Sequence, residues 1–189
     1  MDVMNFDRYS QPVIERAALE FVNSLTPEGE DLLHDRRWSA QALGRWNLPR
    51  HSPSPAELRE LDDLRVFLRE LAGTVSAGAE LSRSQLAALN DVIGCAPVRA
   101  QVVLLDGGYV VEMTPVADTW IQLAVRQLAG SFVSALRQSQ PPRVRLCAND
   151  ACRRAFYDES KNRTRRWCDP NGCGNRARVR RHRARARAT

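Results

Sequence analysis

Four of the five cysteines in the chain are spaced as C-x4-C-x15-C-x4-C. They are Cys147, Cys152, Cys168 and Cys173. Zinc takes four thiolate or imidazole ligands in a tetrahedron, and two close pairs from separated segments can supply them. Ligation by four thiolates leaves no open coordination position for water. The pattern therefore predicts one structural, non-catalytic Zn²⁺.

The residues between the two cysteine pairs favour the same interpretation. Phe156, Tyr157 and Trp167 are the only large apolar side chains between the pairs, too few to form a core without a metal. The gaps of four residues are longer than the two that zinc ribbons usually show. Four ordinary reduced cysteines, or a redox-active disulfide, are the alternatives. Cys95 follows Gly94 and is predicted to be a core or turn residue.

The segment after Cys173 reads GNRARVRRHRARARAT. Arginine and alanine are good helix formers, so we expect a helix from about Asn175 toward Arg187. Arginines at three- and four-residue spacing would form one phosphate-facing stripe of Arg176, Arg180, Arg183 and Arg187. The candidate nucleic-acid-binding residues are Arg163, Arg165, Arg166, Arg176, Arg178, Arg180, Arg181 and Arg183.

Charge is distributed unevenly along the 189 residues. Residues 143–189 carry 15 Lys and Arg against four acidic residues, a net charge of +11, whereas the rest of the chain carries −5. A basic tail on an acidic body is typical of a polyanion contact. Duplex DNA is the first interpretation. The alternatives are an RNA-binding or protein-interaction module scaffolded by zinc, and a solvated charge run without a partner.

The rest of the chain is predicted to be mainly helical. Ser54-Pro55-Ala56-Glu57 is a capping box with proline at the first helical position, so a helix is expected to about Ala72. Other helices are expected over residues 12–24, from Ser39, and over residues 84–90 closing near Gly94.

A β-hairpin and a long helix are predicted to complete the body. The hairpin pairs Val98–Leu105 with Tyr109–Met113 across Asp106-Gly107-Gly108. The helix is expected to open at Thr114-Pro115, to run past Leu136, and to end at Gln140-Pro141-Pro142.

The basic segment resembles a known zinc finger. Arg165-Arg166-Trp167-Cys168 and Cys173-Gly174-Asn175-Arg176, preceded by Phe156-x-Asp158-x-Ser160, look like the CGNR zinc finger. That finger follows a domain called ABATE in a family of bacterial stress-induced transcription regulators. Phe21-Val22-Asn23-Ser24 resembles the FVNT of that domain, with serine in place of threonine. Further matches are Asp31-Leu32-Leu33, Trp46, Leu64-Arg65 and Asn90.

The resemblance implies DNA binding by the finger and a sensing role for the body. We therefore expect an α+β protein in two parts. Residues 1–141 would form a helical ABATE-like body with one hairpin. Residues 142–189 would form a treble-clef-like zinc finger with a basic terminal helix.

Three polar residues of the body are candidates for a ligand pocket. Asn23, Asp31 and Arg65 lie on otherwise apolar segments and could orient a small-molecule effector if they converge. The alternative is structural, with Asn23 and Asp31 as caps or turn formers and Arg65 as a charge-paired residue.

The sequence argues against an enzyme. It contains no Gly-rich phosphate loop, no paired-histidine metal motif and no nucleophile elbow, and His34, His51 and His182 are scattered. An active site in the body remains the third alternative. Residues 1–10 lack a signal-like apolar run, and no apolar stretch approaches about 20 residues. We expect a cytoplasmic protein, associated with the nucleoid when bound, with no membrane partner and with a second copy of the chain as a candidate partner.

Overall fold

The computed structural model describes residues 12–105, 107–137 and 142–187. Within them lie six α-helices and two antiparallel strand pairs, β1–β2 and β3–β4. The helices are α1 (Pro12–Val22), α2 (Arg36–Arg45), α3 (Pro55–Ser76), α4 (Arg83–Gly94), α5 (Trp120–Arg137) and α6 (Asn175–Arg187). The strands are β1 (Val98–Leu105), β2 (Gly108–Pro115), β3 (Val144–Leu146) and β4 (Ala155–Tyr157). The predicted α+β class, helical with one hairpin before the finger, is confirmed.

The helix starts follow from side-chain capping. Ser54 and Glu57 exchange hydrogen bonds with each other's backbone amides, as the capping box predicts. The prediction that the second helix begins at Ser39 is wrong. Its cap is Asp35, whose carboxylate accepts from the Trp38 amide at 2.6 Å, so α2 already begins at Arg36.

The prediction that a helix opens at Thr114-Pro115 is also wrong. Strand β2 continues through Pro115, and the Val116 amide extends the pairing by donating to the Pro97 carbonyl at 2.7 Å. Helix α5 begins at Trp120, after a reciprocal cap in which Thr119 and Gln122 bond each other's amides.

Three predicted features involve residues outside the described ranges. The first is Asp106 in the hairpin turn, and the second is the helix end and boundary at Gln140-Pro141. The third is the segment of residues 1–10, whose sequence lacks the apolar run of a signal peptide. In the described parts, no helix is both long and apolar enough to span a bilayer.

Helices α1, α3 and α5 form the centre of the body. Phe21, Leu68 and Phe132 are completely buried there. Trp46 and Phe21 form a T-shaped contact with ring centroids 5.7 Å apart, and the Trp46 indole donates to the Glu20 carboxylate. Burial of these large apolar side chains provides the main driving force for this part of the fold.

The β3–β4 hairpin packs on this same core. Val144 and Ala155 are buried in the cluster that contains the body helices. The amide group of Asn23 both donates to the Ala155 carbonyl and accepts from its amide, at 2.8 Å each. The Leu146 amide donates to the Ser76 hydroxyl at the end of α3. The two strands that flank the first cysteine pair are thus hydrogen-bonded to residues of the body.

Candidate metal centre and nucleic-acid interface

The four cysteines of the motif meet at one point. Cys147 and Cys152 lie in the loop between β3 and β4, whereas Cys168 and Cys173 lie in the segment that leads into α6. Their sulfur atoms all lie within 4.8 Å of one another, with 3.7 Å between Cys152 and Cys168 and 3.8 Å between Cys168 and Cys173. A tetrahedron with Zn–S bonds of about 2.3 Å has S···S edges of about 3.8 Å. The geometry and the four-sulfur donor set fit one structural zinc ion.

Tight backbone turns set the spacing of each pair. In the first loop, the Cys152 amide donates to the Asn149 carbonyl at 2.7 Å, and Arg153 takes a positive φ of 50°. In the second, the Asp169 side chain caps a π-helical turn over Pro170–Gly174. That turn presents Cys173 immediately before α6, so the four-residue gaps of the motif are accommodated by turns of the chain.

Two neighbouring side chains approach the Cys173 sulfur. Arg176 donates to it at 3.1 Å and the Asn149 amide at 3.7 Å. Burial of Cys173 opposes its ionisation, but these two hydrogen bonds lower the pKa of its thiol to about 7. Asn149 also accepts from Arg180 at 3.0 Å. Both bonding arginines lie on α6, so the helix is tied to the centre at two positions.

The other thiols have a different electrostatic environment. Burial, followed by hydrogen bonds and charge interactions with neighbouring thiols, raises the pKa of Cys168 far above its ordinary value. Burial also raises the pKa of Cys152. Four sulfurs this close cannot all ionise without a cation among them. Zinc, when bound, supplies that positive charge and holds the ligands as thiolates.

Arg165 supports the loop between the two cysteine pairs. Its guanidinium donates to the carbonyls of Trp167 and Cys168 and lies 5.1 Å from the Phe156 ring centroid. Its backbone amide donates to Asp158, which is fully buried. Hydrogen bonds from Ser160 and the Arg165 amide outweigh the effect of burial and lower the pKa of Asp158. Arg165 and Asp158 therefore position the second cysteine pair.

Two arginines join α6 to the zinc loops. Arg176 bonds to the Cys173 sulfur and Arg180 to Asn149, and Ala177 between them is buried. Arg178 and Arg181 are exposed, and their side chains bond to neither loop. Two members of the predicted stripe, Arg176 and Arg180, therefore contact the finger.

The remaining members of the predicted stripe are Arg183 and Arg187. Arg183 is exposed, whereas the side chain of Arg187 lies outside the described part of the chain. In the described ranges, the side chains of Arg178, Arg181 and Arg183 form no hydrogen bond or ion pair with the protein, so their guanidinium donors are available to a ligand.

A second basic surface lies where the finger meets the body. Gly73, Ser76 and Ala77 at the end of α3 face an open groove of about 570 Å³. Its arginine lining consists of Arg145, Arg153, Arg163, Arg165 and Arg166. No acidic residue is among the described residues that line it. In this groove Arg163, Arg165 and Arg166 lie beside Ala148 and Arg153 of the first cysteine loop.

The three polar residues of the predicted ligand pocket are not brought together as one group. Asn23 bonds to Ala155, as described above. Arg65 is buried and forms a two-pronged ion pair with Asp31 (2.6 Å on each side) and further bonds with Asp62 and Ser24. These contacts match the structural roles that the sequence also allowed, and the pocket itself remains a prediction.

Sequence reasoning missed the roles of Asn149 and Asp158 in the finger. Asn149 links Cys173 to Arg180, and Asp158 organises the loop that leads to Cys168. A short polar side chain inside a cysteine loop was the available signal for Asn149. The position of Asp158 between apolar Tyr157 and the basic run was the signal for a buried carboxylate with nearby donors.

Comparison with known protein families agrees with this geometry. Residues 143–186 match the model of the CGNR zinc finger, and residues 15–151 match the ABATE model, described as "Putative stress-induced transcription regulator". A search of curated proteins returned no match. The ABATE match covers well over half of the chain. With its sulfur tetrahedron and its CGNR sequence at residues 173–176, the chain belongs to the ABATE family and carries a CGNR zinc finger that holds one structural zinc ion.

Proposed function

We propose that this protein is a transcription regulator whose zinc finger binds duplex DNA through arginines of α6. The observation that carries the proposal is the difference in contacts among these arginines. Arg176 and Arg180 bond to the zinc loops and fix the helix there, whereas the exposed side chains of Arg178, Arg181 and Arg183 bond to neither loop. A helix that is fixed by two arginines and offers three more to solvent is suited to phosphate contacts.

The arginine-lined groove extends this surface toward the body. Arg163 and Arg166 lie beside the first cysteine loop and add positive charge to the lining of the groove. Arg165, Arg176 and Arg180 act in the proposal by positioning the finger. Residues 142–189 would contact DNA, and residues 1–141 would regulate that contact in the cytoplasm by sensing an effector or a second subunit.

Salt-dependent binding tests the proposal. Each phosphate contact on B-DNA contributes about −0.9 to the slope of log K against log salt. Replacing Arg178, Arg181 and Arg183 by alanine together should therefore make the slope shallower by about 2.7 and weaken binding to any duplex sequence. Fluorescence anisotropy with a labelled duplex over a salt series measures both quantities.

A matched triple variant distinguishes the loss of contacts at α6 from the loss of positive charge alone. Arg36, Arg37 and Arg59 are also exposed helix arginines, but they lie on α2 and α3. Their triple alanine variant removes the same charge and should keep the wild-type slope. Equal slopes for the α6 variant and wild type would reject the proposed contact. Tighter binding to single-stranded or double-stranded RNA in competition would favour the RNA alternative instead.

A further inference from the structure

One face of the β1–β2 hairpin is wholly apolar and exposed. The register pairs Val102 with Val111 and Leu104 with Tyr109. Because side chains alternate across a strand, every second residue shares this face. Its exposed members are Ala100, Val102, Leu104, Tyr109, Val111 and Met113. Tyr109 is 83% exposed, Val102 68% and Leu104 66%, which is unusual for contiguous large apolar residues.

The opposite face of the hairpin differs in composition and in burial. Among its described side chains are those of Arg99, Gln101 and Thr114, and the Val103–Val110 pair is half-buried between them. Among the described elements, β1 and β2 contact each other far more than they contact any helix. An isolated two-stranded ribbon is marginally stable in water. The hairpin therefore gains stability from whatever covers its apolar face.

We propose that this face is a self-association surface covered by the same face of a second copy of the chain. Its six residues carry no charge, so it offers no electrostatic recognition of an acidic or basic partner but is complementary to itself. In a two-fold symmetric dimer the same patch is buried twice. The exposed side chains offer roughly 600 Å² per copy, or roughly 1,200 Å² in total, at the lower limit of specific interfaces.

This inference goes beyond the proposed function and does not depend on it. A dimer joined through the hairpins would carry two zinc fingers. Paired modules of this kind read two half-sites whose spacing follows from the dimer geometry. The effect on DNA recognition would follow only if the fingers bind DNA, whereas self-association can be measured without DNA.

Sedimentation equilibrium of the zinc-loaded full chain tests the inference. The wild-type protein should sediment as a dimer in the micromolar range. Leu104→Glu with Tyr109→Glu should raise the dimer dissociation constant by at least about 100-fold, because the interface would then bury like charges from both copies in one apolar patch. Thr114→Glu is the matched control on the opposite face of the same hairpin and should leave the dissociation constant unchanged.

Circular dichroism verifies that the variants keep their helices. If the double glutamate variant does not fold, Val102→Thr with Leu104→Thr keeps strand-forming residues on this face and should weaken the dimer by about tenfold. A wild-type protein that is monomeric across the micromolar range would overturn the inference and leave the face to a different partner. A folded face variant that dimerises as tightly as wild type would overturn it as well.

Discussion

A nitrogen of the Arg176 guanidinium lies 3.1 Å from the sulfur of Cys173. The arginine of the CGNR sequence thus lies one helical turn after a zinc ligand and reaches back to it. A hydrogen bond from a cation stabilises the thiolate form that zinc requires. This contact links metal binding to the orientation of α6, on which the proposed function depends.

Replacing Arg176 should weaken zinc binding. Loss of an outer-shell partner typically costs about 10- to 100-fold in metal affinity, and Arg176→Ala should fall in that range in a chelator competition at neutral pH. Arg178→Ala removes an exposed arginine of the same helix whose side chain makes no bond to the sulfur atoms, and it should keep the wild-type zinc affinity. Equal zinc affinities for Arg176→Ala and wild type would show that the contact has no role in holding the metal.

Asn23 should be required for joining the finger strands to the body. Asn23→Asp keeps the shape but replaces the amide donor with a carboxylate that faces the Ala155 carbonyl. An unsatisfied and partly repulsive contact of this kind should lower the free energy of unfolding by about 1–3 kcal/mol in urea titrations. Asn90→Asp makes the same chemical change at an exposed position of α4 and should change stability by less than about 0.5 kcal/mol.

Zinc removal should destabilise the body as well as the finger. Val144 and Ala155 flank the first cysteine loop and are buried in the body core, so a disordered metal site should loosen that core too. Calorimetry of the zinc-loaded protein should show one cooperative transition, shifted to lower temperature by a chelator. A body transition that stays at the same temperature without zinc would show that the two parts fold independently.

The ion pair of Asp31 with Arg65 should make stability depend on pH in acid. Burial alone would raise the pKa of Asp31, but its bonds to Arg65 lower that pKa below the ordinary value. Its contribution is therefore complete above the unfolded pKa of about 3.9 and is lost as pH falls through the lower folded value. With Asp31→Asn, the free energy of unfolding should therefore fall less steeply as the pH is lowered into the acid range.

The same substitution should also lower stability at neutral pH by about 1–3 kcal/mol, because Arg65 is buried and would keep only part of its charge compensation. Urea titrations between pH 3 and 7, with Asp63→Asn as the exposed control on α3, measure both effects. If the free energy of unfolding of Asp31→Asn fell as steeply in acid as that of wild type, the Asp31–Arg65 ion pair could not be the source of the pH dependence.

Features set by local chemistry could be predicted from the sequence. The capping box at Ser54, the hairpin and the cysteine spacing each depend on residues close together in the chain, and all three occur in the structure. The start of α5 was mispredicted because Pro115 is compatible both with a helix start and with a strand end. The Thr119–Gln122 cap was the more specific signal.

Contacts between distant segments could not be predicted. Helical spacing placed Arg176 and Arg180 on one stripe, but it could not show that Asn149 and the Cys173 sulfur would be their acceptors. The pairing of Asn23 with Ala155 joins residues that are 132 positions apart. Such contacts depend on how the finger packs against the body, which a local pattern does not encode.

If zinc orders the finger that presents the exposed arginines of α6 to DNA, removing the metal should weaken DNA binding. We would measure duplex-DNA affinity at fixed salt with and without zinc, for wild type, for Cys168→Ser with Cys173→Ser, and for the control Cys95→Ser. We expect at least about tenfold weaker binding without zinc and in the double variant, and wild-type affinity for Cys95→Ser. Undiminished affinity of the metal-free protein and of the double variant would show that the arginines act as an unstructured polycation, and it would contradict the account.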